Sequence, residues 1–289
     1  KHLPGKHDQS THGRKKGVSF NTDSYASLTD ETGEAFQTAM SNLSAYDGAS
    51  ISEEVIDKAH LRYQFRSQKM PEEFGMDYGS LDKSINKYLD ENPVSVMMEE
   101  EVIDSILDDG EIKSIFGLSE GAKGREYVEH RLVYERAAFG YDQNTPIGVR
   151  PVSGTVFPKS SNNQAVVGFG TGYGSTQIVL NDDVKSRTTF TIGDSLDKFQ
   201  RPTKYGGKVP RTLDLGRVAQ NNSNANKKGI NIFEEKGFNS FDYIETQVHG
   251  GIKLSDINKI VFHSPMYIDM EATTNRLNDM GIGWEVVDG

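Results

Sequence analysis

The residues best suited to chemistry lie in one stretch, Phe241–Phe262, which reads FDYIETQVHGGIKLSDINKIVF. Tyr243, Glu245 and Gln247 alternate with Ile244 and Val248, the period of a strand with one polar and one apolar face. Gly250-Gly251 breaks that strand. A short helical turn capped by Ser255 follows, and Ile260-Val261-Phe262 predicts a second strand directly after it. The polar face of the first strand presents an acid and an amide, with His249 just beyond its end. An acid at the centre of an otherwise core-like strand needs a reason, because carboxylates are rarely buried unless something pairs with them.

Two other polar groupings occupy strand-like positions. Arg150 opens Arg-Pro-Val-Ser-Gly154, and Arg187-Thr-Thr-Phe-Thr191 places Thr189 and Thr191 two residues apart, so their hydroxyls share a face while Phe190 points away. The familiar templates are missing: there is no phosphate-binding G-x-x-x-x-G-K-[ST], no G-x-S-x-G and no H-E-x-x-H. Gly168-Phe-Gly-Thr-Gly-Tyr-Gly174 is glycine-rich, but Ser175–Leu180 after it reads as a strand. It therefore offers no helix N-terminus to a phosphate and reads as an entry into that strand. The seven histidines form no i, i+4 pair in a helix, three of them lie at positions 2, 7 and 12, and cysteine is absent; no metal site is expected.

These residues need a scaffold, and 289 residues suffice for one large domain or two ordinary ones. No apolar run approaches the roughly 20 residues of a membrane span, which predicts a soluble protein. The formal charge of −10 divides unevenly: residues 1–17 carry five Lys/Arg and one Asp, or +4, which leaves −14 for the rest. So acidic a body argues against a broad nucleic-acid-binding face. The start, KHLPGKHDQSTHGRKKG, lacks an initiator methionine and an apolar period, and predicts a flexible basic arm over 1–20 on a piece of a longer polypeptide.

Residues 21–109 read as helical. Stripes fall at Ala35, Met40 and Leu43; at Val55-Ile56, Ala59 and Tyr63; at Leu81, Ile85, Tyr88 and Leu89, ended by Asn92-Pro93; and over Val96–Leu107. Glu99-Glu100-Glu101 reads as a solvated helix face. From Gly110 the character changes. Glu111–Phe116 reads as a short strand and Ala122–Phe139 as an amphipathic helix with Tyr127, Leu132, Val133 and Ala137 inward. Strands follow at 149–157, 165–169, 175–180, 187–192, 243–248, 259–262 and 284–287, and 199–236 reads as a long loop. Turn chemistry rather than helices separates most of these strands, so residues 110–289 are expected to form an α+β domain with a mostly antiparallel sheet.

Several segments carry resemblances. Leu3–Gly13 resembles a segment of phage head-morphogenesis polyproteins, which implies a virion setting and contact with head components through the arm. Asp109–Phe116, Glu135–Gly140, Arg150–Gly154, Gly172–Leu180, Ser186–Ser195 and Tyr243–Gly250 together resemble a family shared by bacteria and phages, over about residues 108–264.

More distantly, Arg150, Thr189-Phe-Thr191 and Glu245 follow the chain order of the ADP-ribosyltransferases of the arginine–serine–glutamate type. That resemblance implies a split β-sheet domain after the helical region, NAD as donor substrate and Glu245 as the catalytic acid. It also implies that Arg150, with Arg187, holds the pyrophosphate, and that Thr189, Thr191 and Tyr173 shape the nicotinamide pocket. Tyr243, Gln247 and His249 then stand at the acceptor edge. Tyr243 occupies the position where the family places a target-selecting Glu or Gln, which leaves the acceptor open. If Arg150 faces away, the cationic role falls to Arg187, Arg125, Arg131, Arg136 or Lys113. The activity implied is mono-ADP-ribosylation of a host macromolecule, in the virion or the host cytoplasm. NAD glycohydrolysis and a non-catalytic virion accessory role are the alternatives.

Overall fold

A computed structural model describes residues 78–118, 125–156, 174–193, 195–196, 202–208, 244–265 and 267–287, with parts of 34–42. The basic arm, the stripe at 55–63, the strand expected at 165–169, Tyr173 and Tyr243 lie outside the described residues.

The stripe Ile85, Tyr88, Leu89 is the buried side of helix α1 (Tyr78–Glu91), which stops where Asn92 turns its side-chain amide back onto the Tyr88 carbonyl at 2.8 Å. Pro93 then forces extended backbone on its neighbour, and strand β1 (Val94–Met98) begins at once. This corrects the helical reading of 96–107. Val96, Ile103, Ile106 and Leu107 fit a helical stripe on paper. Only Ile103–Asp109 is α-helical (α2), closed by Gly110 in the left-handed conformation at φ 80°. Glu100, expected on a solvated face, is buried and accepts the Tyr267 amide.

Strand β2 (Glu111–Ile112) and helix α3 (Arg125–Phe139) follow. Then come β3 (Val152–Val156), β4 (Thr176–Leu180), β5 (Thr188–Ile192), β6 (Thr203–Lys204), β7 (Ile244–Val248), β8 (Ile252–Lys253) and β9 (Ile257–His263), with helix α4 (Met270–Asp279) and β10 (Gly283–Val287) last. Strand β6 lies inside the segment expected to be loop throughout. The turn before β9 is capped by Asp256, whose carboxylate accepts the Lys253 amide at 2.8 Å, rather than by Ser255.

Among the described residues eight strands form one sheet in the order β10-β9-β4-β1-β3-β7-β5-β6, and β2 pairs with β8 separately. Every pairing is antiparallel except β9 with β10. The fold is thus mixed helix and sheet with a large, mostly antiparallel sheet, as the short strands separated by turns predicted. Strand β1 sits between β4 and β3, so the sheet begins well before residue 110. At the start of β4, Gly174 has φ 111°, and a Cβ there would stand 2.0 Å from the Met98 backbone. Only glycine lets the chain pass β1 this closely.

The two faces of the sheet differ. Val94, Val96, Val152, Ile178, Leu180, Val248, Ile260 and Phe262 pack on one side with Ile103, Ile106 and Leu107 of α2 and Leu277 of α4, forming the main core. On the other side, registers Ser95↔Thr155, Thr155↔Glu245 and Thr191↔Glu245 set four polar residues in a row. Ser153↔Gln247 and Thr189↔Gln247 set three more beside them. Directly paired residues share a face, so this side of the sheet is polar from β1 to β5. Helix α3 packs against its β7 end.

Candidate active site

A helix laid on a polar sheet face must bring polar groups to it, and α3 does. The expected inward residues Val133 and Ala137 are exposed, Val133 by 55%. The buried residues are instead Arg131, Tyr134, Glu135, Ala138 and Phe139. Apolar spacing puts the core stripe of α3 on its apolar residues, but its partner surface holds a carboxylate that needs a cation. Arg131 and Glu135, one turn apart, share the inward face.

Arg131 is 7% exposed and makes three contacts: Nη2 to Glu245 Oε1 at 3.0 Å, Nη1 to Ser195 Oγ at 2.9 Å, and Nε to the Tyr127 hydroxyl at 3.2 Å. Burial works against its charge, but Glu245 and Tyr127 outweigh it, so the guanidinium is held above its ordinary range. Glu245 is 2% exposed. Oε1 also accepts Ser195 Oγ at 2.9 Å and Ser153 Oγ at 3.2 Å, and Oε2 accepts the Ser195 amide at 2.6 Å. The carboxylate therefore has four donors, and bonds of this kind fix its position. Tyr134 lies alongside. Burial, reinforced by the Glu245 charge, keeps its hydroxyl well above the ordinary range, and so protonated.

Thr189, Thr191 and Gln247 share the Glu245 face as the alternation predicted, and they bond to one another. Thr189 Oγ1 donates to Gln247 Oε1 at 2.9 Å, and Gln247 Nε2 donates to Thr191 Oγ1 at 3.3 Å. With its proton used, Thr189 accepts from His249 Nε2 at 3.2 Å, which leaves Nδ1 to accept the Tyr141 hydroxyl at 3.0 Å. The ring is wedged edge-on against Phe139 at 4.6 Å. Gln247 and His249, expected at an open pocket edge, are thus fully buried. The imidazole has two satisfied nitrogens and an aromatic neighbour.

Burial, with a smaller contribution from Arg187, pushes the His249 pKa down to about 3 from 6.5. A histidine whose native pKa is depressed stabilises the fold above the unfolded value and loses that contribution as pH falls from about 6.5 toward 3, by at most about 1.4 kcal/mol per pH unit. Glu135, which burial pushes up to about 7 against the pull of Arg150, has the opposite sign between about 4.5 and 7. The two offset each other down to about pH 4.5, and below it His249 acts alone. Thermal unfolding followed by circular dichroism should therefore show Tm falling more steeply below about pH 4.5. His249→Asn, less stable at pH 7, should show a shallower acid slope; an equal slope would remove His249 from acid unfolding.

The expected phosphate-binding arginines are both committed elsewhere. Arg150 is 2% exposed: Nη1 meets Glu135 Oε2 at 2.7 Å, Nε donates to the Thr145 carbonyl at 3.3 Å, Nη2 donates to the Asp142 carbonyl, and the guanidinium lies 4.2 Å over the Phe116 ring. Arg187 ends a short turn before β5 and ties the Gly251 carbonyl at 2.7 Å and Asp256 at 2.6 Å, with a further bond to the His249 carbonyl. Each ties backbone carbonyls and a carboxylate, and neither meets Glu245. Of the fallback cations whose side chains are described, Arg131 meets Glu245. Among the described residues no group of three or more His, Asp or Glu is arranged to hold a metal ion, and no helix is long and apolar enough to cross a membrane.

The chain is 30% identical over 244 residues to the Gene 2 protein of Mycobacterium phage L5, covering 76% of this chain and 87% of that protein. It is 31% identical over 218 residues to the Gene 2 protein of Mycobacterium phage D29, covering 72% and 76%. It belongs to this phage Gene 2 protein family. No protein-family model matches it. Among solved structures, Thermosipho africanus DarTG in complex with ADP-ribose aligns with 68% of this chain and 49% of its own, at 9% identity and a TM-score of 0.35, too low to show a common fold.

In this phage family member the sequence alone gives Ser153 and Ser195 no role at the site, and it places Arg131 only among the five fallback cations. Ser195 is separated from β5 by two residues and gives no motif. An i, i+4 Arg/Glu pair inside a helix read as amphipathic was the available signal for Arg131 and Glu135.

Proposed function

We propose that this phage protein is an ADP-ribosyltransferase that uses NAD as donor, with Glu245 as its catalytic residue. The supporting observation is the carboxylate itself. It is held by four donors on a rigid strand face beside Thr189, Thr191 and Gln247. Cleavage of the nicotinamide–ribose bond builds positive charge on the ribose, and a preorganised carboxylate stabilises such an oxocarbenium-like centre, as in glycoside hydrolysis. Arg131, rather than Arg150, is the cation beside the acid. The acceptor in this reading is a host macromolecule; water in its place makes the protein an NAD glycohydrolase.

Incubation with labelled NAD and host lysate tests this. A labelled band supports transfer, and free ADP-ribose without a band supports hydrolysis. Glu245→Gln should lower either rate about 100- to 1,000-fold, the range expected when one preorganised electrostatic group is lost. An unchanged rate removes Glu245 from the mechanism. The burial of Glu245 and its pairing with Arg131 favour one other reading, a virion accessory protein in which the pair only holds α3 on the sheet. Absence of NAD loss, with neither label nor free ADP-ribose, is its signature.

A further inference from the structure

The four donors on Glu245 are not equivalent. Arg131 and Ser195 are buried, and Ser195 contributes both its amide and its hydroxyl, at 2.6 and 2.9 Å. Ser153 is exposed and makes the longest of the four bonds, 3.2 Å. A carboxylate oxygen already carrying three donors can take a substrate hydroxyl only by giving one up, and the long bond from the exposed side is the one water or substrate can replace. Among the described donors on Glu245, Ser153 is the exposed one.

Two residues along the same strand and on the same face stands Thr155, paired directly with Glu245. Its hydroxyl is buried and makes no hydrogen bond. Thr176 and Thr246 also carry unbonded buried hydroxyls, but their registers turn them to the opposite, apolar face, where no ligand can lie. Among the described residues Thr155 and Tyr134 of α3 both carry an unbonded hydroxyl on the Glu245 side, and Thr155 is the one that stands on the strand of Ser153. Leaving a polar atom buried and unpaired is costly, so such an atom beside a carboxylate points to a partner that arrives later.

We propose that Ser153 and Thr155 form the substrate lip of this site. A vicinal diol of the donor's ribose displaces Ser153 from Glu245 Oε1 with one hydroxyl and bonds Thr155 Oγ1 with the other. In this arrangement Ser153 is a place-holder that competes with substrate, and Thr155 is a substrate contact. The inference rests on the ADP-ribosyltransferase reading.

Steady-state NAD consumption by the full chain, with Tm recorded alongside, tests it. Thr155→Val is nearly isosteric and removes the unpaired hydroxyl, so Tm should stay level or rise while KM rises about 5- to 20-fold, the equivalent of one hydrogen bond. Ser153→Ala removes the competitor and should lower KM about 2- to 5-fold. Ser153→Leu places an apolar branch on an exposed strand position and should cut kcat/KM at least about 50-fold, with Tm little changed. A structural role alone would move Tm and leave KM in place. The inference is overturned if Glu245-dependent turnover is present and Thr155→Val leaves KM unchanged, or if Ser153→Leu retains full turnover; the transferase reading then stands without it. If the unsubstituted chain consumes no NAD, both fall together.

Discussion

Arg131→Met should destabilise the protein by about 3–5 kcal/mol, the cost of leaving a buried carboxylate without its counter-charge. Methionine fills most of the volume, so the packing loss is small beside the electrostatic one. The Glu245 carboxylate keeps the Ser195 amide, at 2.6 Å, and the two serine hydroxyls. These cannot neutralise it, because neutral donors compensate only part of the desolvation of an ion. Ser195 Oγ also loses the donor that orients it. If the pair is what costs stability, combining Arg131→Met with Glu245→Gln should recover more than half of the loss. Gln keeps an acceptor for the Ser195 amide, and no charge then remains in the site. Urea unfolding of the four proteins completes a double-mutant cycle. Additive losses would show that Arg131 and Glu245 do not act as a unit.

That pair also shows what could be read from the residues in advance. Period-2 alternation placed Glu245 and Gln247 on one face of β7, and Thr189 and Thr191 on one face of β5. Their convergence needed only that the two strands pair, which they do at Thr191↔Glu245 and Thr189↔Gln247. The existence of α3 was legible for the same reason, since a long periodic segment has few alternatives. Its rotation was not. Apolar spacing assumes that a helix lies on an apolar surface, whereas the surface under α3 is polar, so the inward residues are Arg131, Tyr134 and Glu135. Strand β1 failed differently. Its five residues are too short to show a period, and Val96 joins equally well to the helix that begins at Ile103. The surroundings of Arg150 were not legible, because its place in the chain order of a distant family says nothing of which carboxylate lies nearest. Here Glu135 lies nearest, fifteen residues earlier.

Arg150→Met is the second large effect, and its size should depend on pH. The guanidinium satisfies two loop carbonyls, Thr145 and Asp142, and lies over Phe116, so its removal unties the segment between α3 and β3 at any pH. Leaving those acceptors unpaired costs about 1–3 kcal/mol each where they are buried. The further cost falls on Glu135. With Arg150 present, burial already pushes its carboxyl up to about 7, and Arg150 is the principal charge pulling the other way. A carboxyl whose native pKa lies above its unfolded value contributes its stability fully below the unfolded pKa, about 4.5, and loses it as pH rises through the native value. Removing Arg150 lifts the native value further and extends that loss above pH 7. The difference in unfolding free energy between the unsubstituted chain and Arg150→Met should therefore be smaller at pH 5, where Glu135 is largely protonated in both, and larger at pH 8. Adding Glu135→Gln should flatten the difference between the two pH values while leaving the carbonyl contribution in place. A loss independent of pH would assign the role of Arg150 to its backbone contacts alone.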